Sequence, residues 1–203
     1  MSVVAIIGRG SDEDRAIAVA CAEAGADIAL GTMSTEQAQE YGMHSIANEV
    51  WSIGPEQLVT VMDATDPTQA TSFAAQVWDR FGRCDLLVAN HDLPAEAPLD
   101  ELSSDEWDDI VRANLTAPFL AAHAFGRLMT RQGYGHILLV AHERPGADAA
   151  YAASKSGLVG LARAMTEAWA GRGVIVEALQ GLQDGPSLAA TALERLRRVQ
   201  QKA

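Results

Sequence analysis

A tyrosine and a lysine four residues apart, Tyr151 and Lys155, are the pair in this sequence best suited to acid/base chemistry. The surrounding pattern predicts a helix, on which residues i and i+4 share a face, so the ammonium group can lie near the phenol. A neighbouring cation favours the phenolate and is expected to lower the pKa of the tyrosine towards a value useful for general acid/base catalysis. Because this spacing is common, a surface pair is the alternative interpretation.

Asn114 is a second candidate, because its amide is predicted on the apolar face of a long helix, where it needs a polar partner. Pro118, four residues further on, cannot donate the helical hydrogen bond that the carbonyl of Asn114 would accept. We therefore expect a kinked helix whose free carbonyl oxygen at Asn114 could hold a water molecule. A proline kink packed away from any site is the alternative.

Short apolar segments alternate with helical patterns along the chain and must position these side chains. The predicted strands are residues 3–7, 28–30, 58–62, 86–89, 137–140 and 174–178, and the predicted helices are residues 15–24, 67–81, 104–131 and 149–171. Continuously apolar strands are typical of a parallel sheet covered by helices on both faces. The alternation predicts an α/β fold with a doubly wound parallel sheet, in which ligands bind beyond the carboxyl ends of the strands.

Two segments are less clear. Residues 34–55 carry a weak helical pattern interrupted by glycine and proline. Residues 182–203 are predicted as a helical tail after a domain that spans residues 1–181. The tail is basic through Arg195, Arg197, Arg198 and Lys202. We expect it to be solvated or to face a partner.

The composition suits one domain, because the chain has 203 residues of which 48% are hydrophobic and 21% charged. With 15 basic and 27 acidic residues, its formal net charge of −12 argues against a nucleic-acid partner and against anionic membrane surfaces. Cys21 and Cys84 are too few for a disulfide scaffold, and the five histidines lack paired metal-ligand spacing. Because no leader pattern or membrane-length apolar run is present, we expect a cytoplasmic protein without a metal.

In order and spacing, several residues match one family pattern. They are Gly8 after the first strand, Asp63 after the third, Asn90 at the end of Leu87-Val88-Ala89-Asn90, Asn114 in its long helix, and Tyr151-x-x-x-Lys155. Over roughly residues 3–181 the chain resembles the classical short-chain dehydrogenases/reductases. The resemblance implies a Rossmann fold that binds NAD(H) or NADP(H) and moves a hydride between the cofactor and a small carbonyl or alcohol substrate.

The resemblance also implies roles for individual residues. Tyr151 would donate or accept the proton, and Lys155 would lower its pKa and hold the nicotinamide ribose. The carbonyl of Asn114 would hold a relay water. Asp63 would contact the adenine, and Asn90 would brace the sheet beside the cofactor. Similar proteins form dimers or tetramers, so we expect a homodimer or homotetramer through the helices 104–131 and 149–171.

The glycine loop departs from the family pattern. Thr-Gly-x-x-x-Gly-x-Gly falls on residues 7–14, so Gly8 and Gly10 remain as candidate cofactor contacts while Asp12 and Asp14 replace the second and third glycines. Those glycines let the backbone approach the pyrophosphate and let the helix pack closely. The aspartates add bulk and negative charge where an anion should bind.

A different arrangement of this loop is physically consistent. Ser11 or Asp12 can cap the following helix, and carboxylates in its first turn interact favourably with the helix dipole. The helix would then satisfy its amides with its own carboxylates, and the phosphate position would be occupied internally. We therefore expect weakened dinucleotide binding.

Other departures concern catalysis. The Ser-Ser pair that the family places after the fifth strand is missing, and His142 stands there instead. His142 could donate a hydrogen bond to the substrate carbonyl or could be a loop histidine without a role. Gly31-Thr32-Met33 after the second strand carries no charge that would select NAD over NADP. The C-terminal substrate region is short, which predicts an open pocket.

Two hypotheses follow. The first is a divergent oxidoreductase that uses Tyr151 and Lys155. The second is a non-catalytic Rossmann-fold subunit for binding or assembly. For a dimer seam, the sequence suggests the outward residues Val159, Ala162, Met165 and Trp169, with intrachain packing of the same residues as the alternative.

Overall fold

One parallel sheet organises the chain in the computed structural model, which describes residues 1–95, 97–181 and 184–201. Its strands are β1 (Val3–Gly8), β2 (Asp27–Thr32), β3 (Gln57–Thr60), β4 (Leu86–Ala89), β5 (Gly135–His142) and β6 (Val174–Gly181). They lie in the order β3-β2-β1-β4-β5-β6, and each neighbouring pair is parallel. The strand order reverses between β1 and β4. The predicted doubly wound α/β sheet is confirmed, and this reversal is where such folds form a ligand crevice.

Helices cover both faces of the sheet. They are α1 (Asp12–Glu23), α2 (Gln37–Ile53), α3 (Pro67–Phe81), α4 (Ser104–Val111), α5 (Ala117–Gln132), α6 (Ala149–Trp169) and α7 (Gly185–Gln200). Alternate residues of β1 belong to different cores, as the pleat requires. Ala5 and Ile7 pack in the core that includes residues of α3, α5 and α6. Val4 and Ile6 pack in the core that includes residues of α1, α2 and α7.

The predicted long helix over residues 104–131 is interrupted in its middle. Arg112–Thr116 forms a π-helical turn, in which the N–H of Ala117 donates to the carbonyl of Arg112. Pro118 falls at the beginning of α5, a position that tolerates proline. The expected proline kink is therefore replaced by a π-helical turn. Such single turns are frequent at functional sites, and this one contains Asn114.

Two helices differ from the expectations for the weaker segments. Residues 34–55, which gave no clear prediction, contain α2, and the helix ends at Gly54 with a φ of 125°. The expectation that the C-terminal helix is solvated or faces a partner holds for one side only, because Leu188, Ala192 and Leu196 of α7 pack in the core while Arg197 and Arg198 are exposed. The boundary at residue 181 stays a prediction, and Lys202 lies outside the described residues.

Most of the predicted dimer seam is buried within the chain. Ala162, Met165 and Trp169 belong to the core, and the Trp169 ring lies directly against Gly126 of α5. Intrachain packing, the alternative interpretation, therefore accounts for three of the four seam residues, while Val159 remains partly exposed. Among the described residues, we find no helix with the length and apolarity that a membrane span needs.

Candidate active site

The candidate site lies beyond the carboxyl ends of β1, β4 and β5. Gly8 ends β1, Ala89 ends β4 and His142 ends β5. Two cavities open here. The larger, of about 380 Å³, is lined by Arg9, Ser11, Glu13, Asn90, Asp92, His142, Glu143 and Arg144. The smaller, of about 170 Å³, is lined by residues that include Arg144, Tyr151 and Lys155. The sheet thus brings together residues far apart in the chain, at the place where the fold is expected to bind a ligand.

Asp14 fills the loop between β1 and α1 with its own carboxylate. Its Oδ2 accepts hydrogen bonds from the backbone N–H groups of Arg9, Gly10 and Ser11 at 3.0, 2.9 and 3.0 Å. Ser11 caps α1, and the hydroxyl of Ser11 accepts from the N–H of Asp14. Asp14 is completely buried, and this burial raises the pKa of its carboxyl despite the hydrogen bonds that favour the charged form. The expected internal satisfaction of the loop amides is therefore present, and Asp14 provides it.

Both retained glycines are required by this local packing. A Cβ atom on Gly8 would lie 2.3 Å from Oδ1 of Asp14, so only glycine leaves room for the carboxylate. Gly10 has a φ of +74° and lies against the backbone of Gly42 in α2. The two glycines therefore fit the observed loop without any bound nucleotide, and their contact with a cofactor stays a prediction.

Asn90 connects this loop to His142. The side-chain amide of Asn90 donates to Oδ1 of Asp14 at 2.8 Å, and its Oδ1 lies 2.9 Å from Nε2 of His142. Burial lowers the pKa of His142, which favours the neutral ring. In a neutral ring that donates Nε2–H to Asn90, this proton is already engaged and must be released before it can be donated to a substrate. The catalytic role of His142 stays a prediction.

Tyr151 and Lys155 share one face of α6, as predicted, and both are buried. Lys155 Nζ lies 5.3 Å from the centre of the Tyr151 ring. The Tyr151 hydroxyl donates to Oδ1 of Asp92 at 2.7 Å, and Lys155 Nζ lies 3.1 Å from the same oxygen. The lysine also donates to the carbonyl of His91. A carboxylate thus bridges the two groups that were expected to act on each other.

This bridge reverses the expected effect on the tyrosine. Burial, followed by the hydrogen bond to Asp92 and the negative charge of Asp92, raises the pKa of Tyr151 above its usual value. Burial also lowers the pKa of Lys155 to about 8, against the opposing effect of Asp92. The net shift in the pKa of Tyr151 is therefore opposite to the predicted one, because burial and Asp92 outweigh the lowering effect of Arg144.

Arg144 completes the set around Asp92. Its Nε lies 3.1 Å from Oδ2 of Asp92, and its Nη2 donates to the same oxygen. Burial opposes the charged form of Asp92, but Lys155, Tyr151 and Arg144 together hold the pKa of Asp92 below its usual value. Sequence reasoning missed both Asp92 and Arg144. The available signal was an aspartate two residues after Asn90, at the end of a buried strand.

Asn114 holds the segment that carries Asp92. Its Oδ1 accepts from the N–H of Leu93 and its Nδ2 donates to the carbonyl of Leu93, both at 2.8 Å. The buried amide therefore has its polar partner, which is a backbone segment. Asp63 makes local bonds, since its Oδ1 accepts from the N–H and hydroxyl of Thr65. The relay water at Asn114 and the adenine contact of Asp63 stay predictions.

Comparison with known proteins decides the family. A family model described as short chain dehydrogenase matches residues 2–193. The chain belongs to the short-chain dehydrogenase/reductase family. A D-threitol dehydrogenase of Mycolicibacterium smegmatis is 32% identical over 181 residues, which cover 87% of this chain and 68% of the relative. The 3-oxoacyl-[acyl-carrier-protein] reductase FabG of Escherichia coli is 29% identical over 178 residues, covering 86% of this chain and 70% of the relative.

Solved structures of the family show the same fold. A metagenomic short-chain oxidoreductase in complex with NADP gives a TM-score of 0.87 at 26% identity, covering 98% of this chain and 92% of that one. An NAD+-bound xylitol dehydrogenase gives a TM-score of 0.81 at 27% identity, covering 89% of this chain and 70% of that one. Members of this family therefore bind NAD or NADP.

The glycine loop of this short-chain dehydrogenase/reductase does not fit a dinucleotide pyrophosphate in the conformation observed. The three N–H groups of residues 9–11 are already bonded to Asp14. The carboxylate of Asp14 would also repel phosphate charges brought near it. A dinucleotide would therefore have to displace the Asp14 side chain or bind around it.

Proposed function

We propose that this chain is an oxidoreductase that moves a hydride between NAD(H) or NADP(H) and a small carbonyl or alcohol substrate, with cofactor binding and activity reduced by its own carboxylates. One observation carries the proposal. Tyr151, Lys155 and Asn114 all bind the short segment of residues 91–93 at the end of β4, so the three family positions meet at one place. The relatives named above, a threitol dehydrogenase and an oxoacyl reductase, act on alcohol or carbonyl groups.

Tyr151 is the proposed proton donor to a carbonyl oxygen. Burial and Asp92 raise its pKa, which keeps the phenol protonated at neutral pH but also makes it a weaker acid. Asp92 must first release the hydroxyl, since the same proton now bonds to the carboxylate. Lys155 would hold the tyrosine in place and Asn114 would hold the segment on which Asp92 lies.

A second candidate, a non-catalytic Rossmann-fold subunit for binding or assembly, is favoured by one specific observation. Asp14 and Asp92 satisfy the loop amides and the tyrosine hydroxyl, the donors that the family would offer to a cofactor and a substrate. A fold that satisfies these donors internally needs no ligand for its stability.

Calorimetric titration of the wild-type chain with NADH and NADPH separates the two candidates. We expect weak, saturable binding of at least one, with a Kd of about 1 mM, because Asp14 occupies the loop amides. Absence of binding for both would favour the non-catalytic subunit, whereas micromolar binding would contradict the inhibitory effect of Asp14.

In a carbonyl-reduction screen, Tyr151→Phe should lower the rate about 100-fold or more. Tyr134→Phe, one residue before β5, is the matched control, and equal rates for wild type and Tyr151→Phe would exclude Tyr151 from the chemistry.

We also propose a homodimer or homotetramer through α4, α5 and α6. Trp107, Phe119 and Val159 on these helices are 37%, 39% and 36% exposed. Burial of these three side chains against another subunit would remove apolar surface from water. Light scattering should therefore give at least twice the mass of one chain, and Phe119→Glu should shift the mass towards the monomer. Ile175→Glu, at an exposed position of β6, is the control, and a wild-type monomer at micromolar concentration would contradict the proposal.

Location and excluded partners are proposed on composition. Cys21 and Cys84 are buried thiols without a disulfide, which suits a reducing cytoplasm. Burial raises the pKa of Cys21 to about 12, so this thiol has little thiolate character. The net charge of −12 supports the proposal that neither nucleic acid nor an anionic membrane is a partner.

A further inference from the structure

Four donor groups from three residues surround the carboxylate of Asp92. The Tyr151 hydroxyl and the Lys155 ammonium group bind Oδ1 at 2.7 and 3.1 Å. Nε of Arg144, at 3.1 Å, and Nη2 of Arg144 bind Oδ2. Charge-assisted bonds from a guanidinium group and an ammonium group are the strong interactions by which proteins recognise carboxylates. The arrangement has the chemistry of a carboxylate-binding site that already holds a carboxylate.

Two of the three binding residues are held in place without Asp92. Tyr151 and Lys155 are 1% and 4% exposed on α6, and the first turn of this helix is capped by Asp148. Lys155 is also fixed by its bond to the carbonyl of His91. The occupant, in contrast, comes from the irregular segment after β4. Tyr151 and Lys155 are therefore preorganised. The backbone of the segment that carries Asp92 is held separately by Asn114 and Arg9, so the side chain of Asp92 can be removed while both parts stay in place.

The surroundings leave room for a ligand larger than an aspartate side chain. Asp92 and Arg144 line the cavity of about 380 Å³, and Arg144, Tyr151 and Lys155 line the cavity of about 170 Å³. Arg9 adds a second guanidinium group to the larger cavity, where it donates to the carbonyl of Asp92 at 3.0 Å. A carboxylate at the position of Asp92 would therefore border the larger cavity, which offers space for the rest of its molecule.

We propose that Arg144, Tyr151 and Lys155 form a binding site for a small organic carboxylate and that Asp92 is its internal occupant. Because Asp92 is tethered to the site, its effective concentration is high and a free carboxylate must compete with it. The intact chain therefore binds small carboxylates weakly, and removal of the Asp92 side chain exposes the site. The proposal does not depend on hydride transfer, since binding by the chain alone tests it.

Acetate is the probe, and Asp92→Ala is the variant that vacates the site. Thermal unfolding is followed at constant ionic strength while chloride is replaced by acetate. At about ten times its Kd, acetate should raise the Tm of Asp92→Ala by about 3–6 °C in a saturable manner. At the same acetate concentrations the wild-type chain should show no measurable rise, because Asp92 competes for the site. Asp63→Ala is the matched control. Asp63 also follows a strand, but its Oδ1 accepts hydrogen bonds from Thr65 and not from a cationic side chain, so its removal should create no acetate site.

A second variant ties the effect to the proposed residues. Asp92→Ala/Arg144→Gln should bind acetate at least about 10-fold more weakly than Asp92→Ala, because the guanidinium fork is gone. No saturable effect of acetate on folded Asp92→Ala, or an equal effect on the double variant, would overturn the proposal. If Asp92→Ala does not fold alone, it is refolded from denaturant with acetate or with chloride. A higher folded yield in acetate supports the site, and equal yields overturn it.

Discussion

Replacing Asp14 with glycine is expected to raise the affinity of the chain for NADH or NADPH by about 100-fold or more. The substitution frees the N–H groups of Arg9, Gly10 and Ser11, which then can donate to phosphate oxygens. It also removes a negative charge from the place where the family binds the pyrophosphate. Calorimetric titration of wild type and variant with both dinucleotides measures the gain.

The same substitution should destabilise the free protein. Without the carboxylate, the loop amides and the side-chain amide of Asn90 lose their acceptor, and α1 gains a glycine in its first turn. We expect the free energy of unfolding to fall by about 2–4 kcal/mol, measured by denaturant unfolding without ligand. Saturating dinucleotide should restore part of this loss, because it binds only the folded state.

Asp12→Gly is the matched control for this prediction. Asp12 is exposed in the same turn, so its removal changes the net charge equally but frees none of the N–H groups that Asp14 binds. Its effect on affinity should stay within a few-fold. If Asp12→Gly gains as much affinity as Asp14→Gly, long-range charge and not occupation of the amides limits binding. If Asp14→Gly gains none, Asp14 does not block the site.

Local interactions explain which parts of this structure could be predicted from sequence. The bounds of α3 and β4 agree with prediction, because Pro67 follows the helix cap Asp66 and because the strand is a short continuous apolar segment. The occupation of the loop N–H groups by a carboxylate of α1 could also be predicted, since all three backbone donors lie within five residues of Asp14. The positions of Tyr151 and Lys155 on one helix face were predicted because a separation of four residues fixes this locally.

Long-range partners explain what could not be predicted. Asp92 lies 59 residues from Tyr151 in the chain, and only the parallel pairing of β4 with β5 brings them together. The expected pKa of Tyr151 had the wrong direction because it considered its helical neighbour and not this distant carboxylate. Burial of one side of α7 is different, because Leu188, Ala192, Leu196 and Val199 recur at helical spacing and could have predicted it.

His91 should make the stability of the protein fall steeply on acidification. Its ring is completely buried, and neither ring nitrogen has a hydrogen-bond partner among the residues that the structure describes. Burial, with a smaller effect of the Lys155 charge, lowers the pKa of His91 from 6.5 to about 3. Between these values the unfolded chain binds a proton that the folded chain does not. The free energy of unfolding therefore decreases as the pH falls through this window, by about 1.4 kcal/mol per pH unit for one such group.

The variant His91→Leu should remove this contribution. An apolar side chain of similar size leaves no unpaired nitrogen, and the backbone carbonyl that accepts from Lys155 is retained. We expect little change at pH 7 and, at pH 4.5, a gain over wild type of about 2–3 kcal/mol in denaturant unfolding. His136, whose pKa burial lowers to about 4, and His142, whose pKa burial also lowers, leave a residual pH dependence in the variant. His44→Leu on the exposed side of α2 should keep the wild-type slope, and an equally steep slope in His91→Leu would show that His91 is not the titrating group.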